Sequence, residues 1–320
     1  MLVNGKWTDN WQPVQAKDDQ GRFIRQTSSF RNWITPDGSP GPTGSGGFKA
    51  EAGRYRLYVA LICPWASRTL IARKLKGLEN LIPVTVLNPV LTDQGWAFGG
   101  YPGADTDPLF GARHMHDLYT RADPTYTGRA TVPALWDTKT NTMVSNESAD
   151  IVRMFNTAFA DLVPATPDLY PADLRDQIDA LNDDIYGSLN NGVYKAGFAS
   201  TQAAYEEAVA GVFATLDRLE DRLTGDYLFD RFTETDIRLF VTLIRFDAAY
   251  HGIFKTNRKR IADYPRLSAY MERVLRLPGV RDTVNLDHIK AGYYSIKALN
   301  PTGIVPVGPD HVTALLRSTL

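Results

Sequence analysis

Cysteine is nearly absent from this sequence: Cys63 is the one cysteine among 320 residues. The chain therefore has no internal disulfide, no cysteine-rich zinc site and no pair of redox-active thiols. Histidine is also scarce, with five residues, and His114 with His116 forms the one close pair. A metal could bind such a pair, but its spacing of two in a stretch rich in Gly, Asp and Pro favours a plain surface position.

Long apolar runs and an excess of charge of either sign are missing as well. Apolar windows such as residues 57–62 are far shorter than the ~20 residues of a membrane span, and residues 1–10 lack the charged-then-apolar pattern of a signal segment. Lys plus Arg number 35 and Asp plus Glu 36, for a formal net charge of -1. We therefore expect no membrane partner, no nucleic-acid partner and a cytoplasmic location.

The length and composition are those of a globular protein with two folding units. The chain is about twice the common domain size of ~100 to 150 residues. Hydrophobic residues make up 43% and charged residues 22%, which argues against wholesale disorder. We expect an irregular arm over residues 1–50, a first domain over 51–160 and an all-helical domain over 165–320 with an irregular tail.

The first domain has the pattern of a thioredoxin-like α/β sandwich. A β-rich stretch at 55–62 precedes a helical period at 64–76, which ends at Gly77, a residue suited to a left-handed cap. A further strand is predicted at 82–87, and two more at 131–136 and 142–145, followed by a helix that starts at an N-cap Ser148. This order is βαβ and then ββα.

A long insert and a helical second half complete the prediction. Residues 88–128 have the composition of a loop, and loops of that length are uncommon unless they serve a site or a partner surface. From Pro171 onward, apolar residues recur at helical spacing. Thr233 and Asp236 form a capping pattern at a helix start, and another helix is expected over 265–277. The irregular tail begins at Asn300.

The thiol of Cys63 lies between the first predicted strand and its helix. Amide N–H groups and the helix dipole favour a thiolate there, and such positions lower a cysteine pKa from ~8.5 to between ~3.5 and ~7.5. Pro64 fits the first turn because it has no N–H to leave unsatisfied. A lone cysteine is otherwise most often a buried structural residue, but this context favours a reactive one. Without a second cysteine, a small-molecule thiol such as glutathione must resolve any disulfide it forms.

Several motifs of the sequence point together to one enzyme family. They are Cys63-Pro64-Trp65-Ala66, Thr131-Val132-Pro133, Glu147-Ser148, Asn191 to Phe198 (NGVYKAGF), Arg245-Phe246-Asp247 with Tyr250, and Asn300 to Ile304 (NPTGI). With these motifs the sequence is similar to the glutathione transferases that use cysteine, and more closely to the glutathionyl-hydroquinone reductases, also called Xi-class glutathione transferases. The Cys-Pro pair alone is shared with glutaredoxins and omega-class transferases.

The resemblance implies a catalytic cysteine and a set of tyrosines. Cys63 is then the nucleophile, which forms a mixed disulfide with glutathione, and Tyr194 is the proton donor. Tyr250 and Tyr293 help to activate the thiol or bind the substrate ring, although Tyr294 is an alternative to Tyr293. By default these tyrosines would be core or interface aromatics.

The resemblance also implies a glutathione site in the first domain, with glutathione as co-substrate and no metal. It further implies a homodimer and glutathionyl-hydroquinones as substrates. Two of the binding residues have a structural alternative: for Ser148 it is the cap of a helix, and for Trp96 it is an anchor of the insert. The implied glutathione-binding residues are Trp96, Arg129, Val132, Glu147 and Ser148.

Two other functions are compatible with the sequence. One is an omega-like thioltransferase or dehydroascorbate reductase, with the same nucleophile and a different second substrate. The other is a non-enzymatic glutathione-binding module, which has no need of a thiol at a helix N-terminus. An alkylation titration of the thiol separates the module from the enzymes, since a half-reaction pH near ~8.5 or above favours the module.

Overall fold

A computed structural model describes residues 1–9 and 16–318 of the chain. The described residues divide into two compact units, one formed by 1–9 with 26–168 and the other by 16–25 with 169–318. The parts of the predicted arm and tail that fall on 10–15 and 319–320 lie outside the described residues. Among the helices of the described residues, none is long and apolar enough to cross a membrane.

The first unit is built around a four-stranded sheet. Its elements are β1 (Leu2–Val3), β2 (Lys6–Trp7), β3 (Tyr55–Val59), α1 (Pro64–Leu75), β4 (Val84–Val86), α2 (Met115–Ala122), β5 (Ala134–Asp137), β6 (Thr142–Ser145) and α3 (Ser148–Thr157). The strand order is β4-β3-β5-β6, with β3 parallel to β4 and antiparallel to β5. Helices α1 and α3 pack against each other. This βαβ-ββα arrangement confirms the predicted thioredoxin-like fold.

The central strand and the first helix form for the reasons that the sequence suggests. Leu57 and Val59 of β3 are fully buried, as expected for a strand that is covered on both faces. Helix α1 ends in a Schellman motif, in which Gly77 has φ +66°. The N–H of Gly77 donates to the carbonyl of Lys74 (3.1 Å), and that of Leu78 donates to Arg73 (2.9 Å). The last carbonyls of α1 are therefore satisfied as predicted.

Three local predictions for the first unit were wrong. The arm is not wholly irregular, because β1 and β2 pair as a hairpin. The insert contains α2, whose start carries a capping box between His114 and Asp117. The N-cap of α3 is Glu147 rather than Ser148: the Glu147 carboxylate accepts from the N–H of Ala149, and Ser148 is the first helical residue.

The second unit is helical, as predicted. The α-helices of its described residues are α4 (Arg175–Ile185), α5 (Gly192–Gly197), α6 (Gln202–Arg222), α7 (Glu234–Arg245), α8 (His251–Ile253), α9 (Pro265–Leu275), α10 (Leu286–Tyr294) and α11 (Asp310–Arg317). The capping box of Thr233 and Asp236 starts α7, a helix buried along its whole length. Helix α11 corrects the prediction of an irregular tail: Val312, Leu315 and Leu316 follow helical spacing, but over only two turns.

Two π-helical turns interrupt this bundle, at Tyr186–Asn190 between α4 and α5 and at Phe246–Tyr250 between α7 and α8. Such turns are often found at functional sites. The side chain of Asn190 holds the first turn to α7, since its Nδ2 donates to the Arg238 carbonyl (2.9 Å) and to Thr242 Oγ1 (2.8 Å). The first π turn thus leads into α5, which carries Tyr194.

Glycine permits the close packing of α5. A Cβ at Gly197 would lie 2.2 Å from the ring of Phe254, and a Cβ at Gly192 would lie 3.0 Å from Val212. Both contacts are shorter than van der Waals distance, so a side chain at either position must displace a neighbour. The Gly-Val-Tyr-Lys-Ala-Gly sequence therefore brings one end of α5 against the aromatic side chain of Phe254.

Candidate active site

Cys63 is at the N-cap of α1, with an extended backbone (φ -75°, ψ 118°) and Pro64 as the first helical residue. Its carbonyl accepts the first helical hydrogen bond, from the N–H of Ser67 (3.0 Å). The side chain is half-buried. The sulfur thus lies at the positive end of a twelve-residue helix, whose first-turn N–H groups have no acceptor within the helix.

The Val132-Pro133 peptide bond, which is cis, lies beside this thiol. The Sγ of Cys63 donates to the carbonyl oxygen of Val132 at 3.4 Å, a contact that suits the protonated thiol. Sulfur and this loop meet although 69 residues separate them in sequence. The structure therefore brings together Cys63 and Val132, two of the residues that the sequence assigns to the site.

A buried tyrosine holds the loop that precedes Val132. Tyr119 is fully buried on α2; its hydroxyl donates to the Thr131 carbonyl (2.9 Å) and accepts from the Thr131 N–H (3.1 Å) and from Asn146 Nδ2 (3.0 Å). Burial raises the pKa of Tyr119 to about 12. No motif of the sequence marks Tyr119 as a site residue, although its spacing from Met115 and Leu118 is that of a buried helix face.

Glu147 and Ser148 lie together at the start of α3. One Glu147 oxygen caps the helix, and the other accepts from Ser28 Oγ at 3.0 Å. Ser148 is buried, and its hydroxyl lies 3.5 Å from Glu147 Oε1. A helix start with a serine and a carboxylate can bind both charged ends of an amino acid, its carboxylate through N–H and O–H donors and its ammonium through the acid.

A second acid follows on the same helix turn. The carboxylate of Asp150 is paired with Arg31, whose Nη2 donates to Oδ1 at 3.0 Å. Burial raises the pKa of Asp150, and the hydrogen bond from Arg31 opposes that shift. Arg31 thereby neutralises a carboxylate close to the start of α3.

Trp96 and Arg129, the other two predicted glutathione ligands, are both half-buried. The carbonyl of Trp96 accepts the N–H of Met115 at 2.9 Å, which ties the insert to the start of α2. The Arg129 N–H donates to Gln26 Oε1 at 3.0 Å. Neither geometry tests a contact with a ligand, so both assignments stay predictions.

The second unit joins three tyrosines through their hydroxyl groups. Tyr194 Oη lies 2.6 Å from Tyr293 Oη, and Tyr250 Oη lies 2.9 Å from Tyr293 Oη. Tyr250 and Tyr293 are buried, while Tyr194 is half-buried. Tyr293, and not Tyr294, is the member of the pair that joins this cluster, which we call the tyrosine cluster.

The tyrosine cluster is buried among aromatic rings. Phe254 stacks on Tyr250, with ring centroids 5.4 Å apart, and meets Tyr293 edge-on. Burial raises the pKa of Tyr250 and of Tyr293 well above the usual value, an effect that the charge of buried Arg245 partly offsets. These two phenols therefore stay protonated at neutral pH and can hold and pass a proton.

The cluster also has a cation, Arg25, that no motif of the sequence marks. The guanidinium of Arg25 lies over the ring of Tyr194, 4.7 Å from its centroid, and Arg25 Nε donates to Asn191 Oδ1 at 2.7 Å. Arg25 belongs to the stretch that was predicted as an irregular arm, and no local pattern marks it. Its place depends on tertiary packing within the second unit.

The histidine pair shows no sign of a metal site. His114 and His116 stack in parallel, with centroids 5.1 Å apart, and Trp7 stacks on His116. His116 Nδ1 lies 3.2 Å from Asp117 Oδ1. Over residues 1–9 and 16–318, no group of three or more His, Cys, Asp and Glu side chains is placed to hold a metal ion.

Family models and relatives agree on one group of enzymes. Residues 62–158 match the glutathione S-transferase N-terminal domain, and residues 202–273 match the C-terminal domain. The glutathionyl-hydroquinone reductase YqjG of Escherichia coli K12 is 52% identical over 314 residues, covering 97% of this chain and 95% of the relative. Glutathionyl-hydroquinone reductase PcpF of Sphingobium chlorophenolicum is 49% identical over 97% of this chain and 96% of its own length.

Solved structures give the same result. The glutathione-bound structure of YqjG has a TM-score of 0.89 and 51% identity, over 97% of this chain and 95% of that one. The Xi glutathione transferase of Phanerochaete chrysosporium has a TM-score of 0.87 and 52% identity, over 92% of this chain and 94% of that one. Both units of the chain are therefore covered by structures of a single class.

Proposed function

The chain belongs to the glutathionyl-hydroquinone reductases, the Xi class of glutathione transferases, and from this membership we propose that it reduces glutathionyl-hydroquinones to hydroquinones at the expense of glutathione. The observation that supports this best is Cys63 at the start of α1, with its sulfur next to the cis Val132-Pro133 bond. That position supplies the donors and the dipole that stabilise a thiolate nucleophile.

In the first step, the Cys63 thiolate attacks the glutathionyl sulfur of the substrate. A bond forms between the two sulfurs, the bond from sulfur to the ring carbon breaks, and the hydroquinone leaves. The product on the enzyme is a Cys63-glutathione mixed disulfide. In this step sulfur is oxidised and the ring carbon is reduced.

Tyr194 supplies the proton for the ring carbon. An aryl carbanion is a very poor leaving group, but protonation of that carbon in the keto tautomer lets an oxygen of the ring receive the electron pair instead. The tyrosine cluster supports this role because Tyr293 and Tyr250 hydrogen-bond in series behind the Tyr194 hydroxyl. Tyr250 and Tyr293 keep Tyr194 in position and share its proton.

A second glutathione completes the cycle. Its thiol returns a proton to Tyr194, and the resulting thiolate attacks the mixed disulfide, which releases glutathione disulfide and the Cys63 thiolate. The balance is one glutathionyl-hydroquinone and one glutathione consumed, with one hydroquinone and one glutathione disulfide produced. No metal takes part in this scheme.

The first unit binds glutathione. The start of α3 offers Ser148 and Glu147 to the two charges of the γ-glutamyl group, and the Val132 backbone offers β-like pairing to the tripeptide. Arg129 provides a cation for a carboxylate, and Trp96 a surface for stacking. We further propose a homodimer that acts in the cytoplasm.

Single-turnover mass spectrometry tests the covalent route. The enzyme is mixed with a glutathionyl-hydroquinone and no free glutathione, and the intact protein is weighed while hydroquinone release is followed. We expect one glutathionyl group per chain, located on Cys63, for each hydroquinone released. Hydroquinone release from a protein that never carries the adduct would contradict the mechanism.

A thioltransferase of the omega type would form the same adduct, so substrate preference has to be measured separately. We expect kcat/KM to be higher for a glutathionyl-hydroquinone than for a glutathionyl mixed disulfide or for dehydroascorbate. The reverse order would favour the omega-like function. Absence of turnover with all three substrates would favour a binding module.

A further inference from the structure

Arg25 is held against Tyr194 by three contacts within the second unit. Its guanidinium lies 4.7 Å from the centroid of the Tyr194 ring and 5.4 Å from that of Phe23. Its Nε donates to Asn191 Oδ1 at 2.7 Å, and Asn191 directly precedes the first residue of α5. The planar cation is therefore fixed over one face of the phenol, in the geometry of a cation–π contact.

A phenol that donates its proton leaves a negative charge behind. Tyr194 would keep the electron pair of its O–H bond, and the charge would spread from Oη into the ring. Tyr293 can turn its O–H toward that oxygen at 2.6 Å, while Tyr250 donates to Tyr293. Two phenols in a buried cluster do not neutralise the charge, so a cation at the ring face is the complementary element.

Two other cations lie near the cluster or next to it in sequence. The charge of buried Arg245 partly offsets the rise that burial causes in the pKa of Tyr250 and Tyr293. Lys195, next to Tyr194 in sequence, has its ammonium on the Gly187 carbonyl at 2.9 Å. Arg25 differs from both because its guanidinium lies on the face of the Tyr194 ring, and it comes from residues 16–25 rather than from the helices of the bundle.

We propose that Arg25 is a positioning residue that stabilises the Tyr194 phenolate formed when Tyr194 donates its proton to the substrate ring. The inference rests on the proposed function, because it assigns Arg25 to the step in which Tyr194 is the acid. The O–H bond of Tyr194 breaks, its proton goes to the ring carbon, and the electron pair stays on Oη under the guanidinium. The proton of the second glutathione thiol later restores the phenol.

The ionisation of Tyr194 can be read directly with Tyr194→3-fluorotyrosine, whose ¹⁹F resonance reports that one phenol, in the full-length chain. We expect R25Q to raise its half-titration pH by about one unit, since it removes a cation from the ring face. R25K keeps the charge, and we expect it to stay close to the parent. An unchanged half-titration pH in R25Q would overturn the proposal.

Arg22 provides the matched control. It lies three residues away in the same stretch, is substantially exposed, and pairs with Glu207 at 2.8 Å. We expect R22Q to leave the ¹⁹F titration and turnover unchanged. A shift as large as that of R25Q would mean that any loss of charge in residues 16–25 affects Tyr194, and it would overturn the specific role of Arg25. Should R25Q not fold, Asn191→Ala removes the acceptor of Arg25 Nε, and it must shift the titration upward as well, though less.

Turnover separates this inference from the function on which it depends. In the chain with ordinary tyrosine, we expect R25Q to lower kcat for a glutathionyl-hydroquinone by about tenfold, while Cys63 alkylates at the parent rate. Tyr194→Phe with undiminished turnover would overturn the proton-donor role and so the proposed function. Reduced turnover in Tyr194→Phe with parental kcat in R25Q would overturn only the role of Arg25.

Discussion

The surroundings of Cys63 and the tyrosine cluster are assembled in opposite ways. The thiol is placed by a strand, a turn and a helix that are contiguous in sequence, so only the Val132 loop has to come from elsewhere. The cluster joins Tyr194, Tyr250 and Tyr293, three residues on three separate segments. A nucleophile can thus be built from local backbone geometry, whereas a buried set of phenols requires the packing of a whole helical unit.

Removal of the nucleophile is expected to have the largest effect. Cys63→Ala deletes the sulfur that forms the mixed disulfide, so we expect kcat to fall at least ~10³-fold. Cys63→Ser, which keeps the size of the side chain, is expected to retain at best weak transferase-like activity. Hydroquinone release measured by chromatography decides the outcome, and a wild-type rate in the Ala variant would show that the thiol is not the nucleophile.

Loss of the proton donor is expected to be the next largest effect. Tyr194→Phe leaves the ring in place and removes the hydroxyl that contacts Tyr293, so we expect kcat to fall about 10²-fold. The rate of Cys63 alkylation by iodoacetamide should not change, because the two sites are built independently. Tyr294→Phe is a matched control, since Tyr294 lies outside the cluster. A large fall in alkylation rate with Tyr194→Phe would contradict that independence.

The contrast between the two sites also explains what sequence reasoning could predict. The helix start at Cys63, the left-handed Gly77 and the Thr233 capping box depend on neighbouring residues, and the structure has all three. The two short helices α2 and α11 were missed because two turns of apolar spacing are a weak signal among Gly, Pro and Asp residues.

Tertiary contacts set the limit of prediction at the second site. The resemblance to a family singled out Tyr194, Tyr250 and Tyr293, but no spacing in the sequence predicts that their hydroxyls meet. Arg25 lies 169 residues before Tyr194, and nothing local points to that contact. Its position follows only from the packing of residues 16–25 with the helical unit.

Alkaline pH is expected to lower the free energy of unfolding, because both units contain buried phenols. Tyrosine ionises near ~10 in an unfolded chain, whereas the pKa of Tyr119 is raised to about 12 by burial. The folded state holds this proton more tightly, so the stabilisation is complete below pH ~10 and is lost as pH rises from there through about 12. We expect this residue to lower the free energy of unfolding by about 2 to 3 kcal/mol over that interval.

Chemical denaturation at a series of pH values measures this loss. Tyr119→Phe removes one titrating phenol, so the unfolding free energy of the variant should fall less steeply with pH. The difference in slope should correspond to up to about one proton per chain. An equally steep fall in the variant would mean that Tyr119 does not contribute. Residual Cys63 alkylation at each pH reports whether the Val132 loop has moved before the chain unfolds.

Packing at the tyrosine cluster can be tested at Gly197. A Cβ there would lie 2.2 Å from the Phe254 ring, and we expect Gly197→Ala to destabilise the fold by about 1 to 3 kcal/mol and to lower kcat. Gly211→Ala is the matched control: Gly211 lies within α6, and a Cβ there meets nothing within 4 Å. That change should stabilise by about 0.5 to 1 kcal/mol. Equal melting temperatures for the two variants would contradict the close packing.

The smallest effect is expected at Gly77, where the first unit depends on backbone conformation alone. A Cβ at Gly77 meets nothing within 4 Å, but φ is +66°, so Gly77→Ala costs only the strain of a left-handed residue, about 1 kcal/mol. Gly77→Asn should cost less, because asparagine adopts this conformation more readily. Turnover should stay at the parental rate in both, since the cap lies at the end of α1 opposite Cys63. If Gly77→Asn and Gly77→Ala lowered the free energy of unfolding equally, the cause would be packing, as at Gly197, and not backbone strain. The end of α1 would then depend on tertiary packing, as the tyrosine cluster does, and not on local backbone geometry.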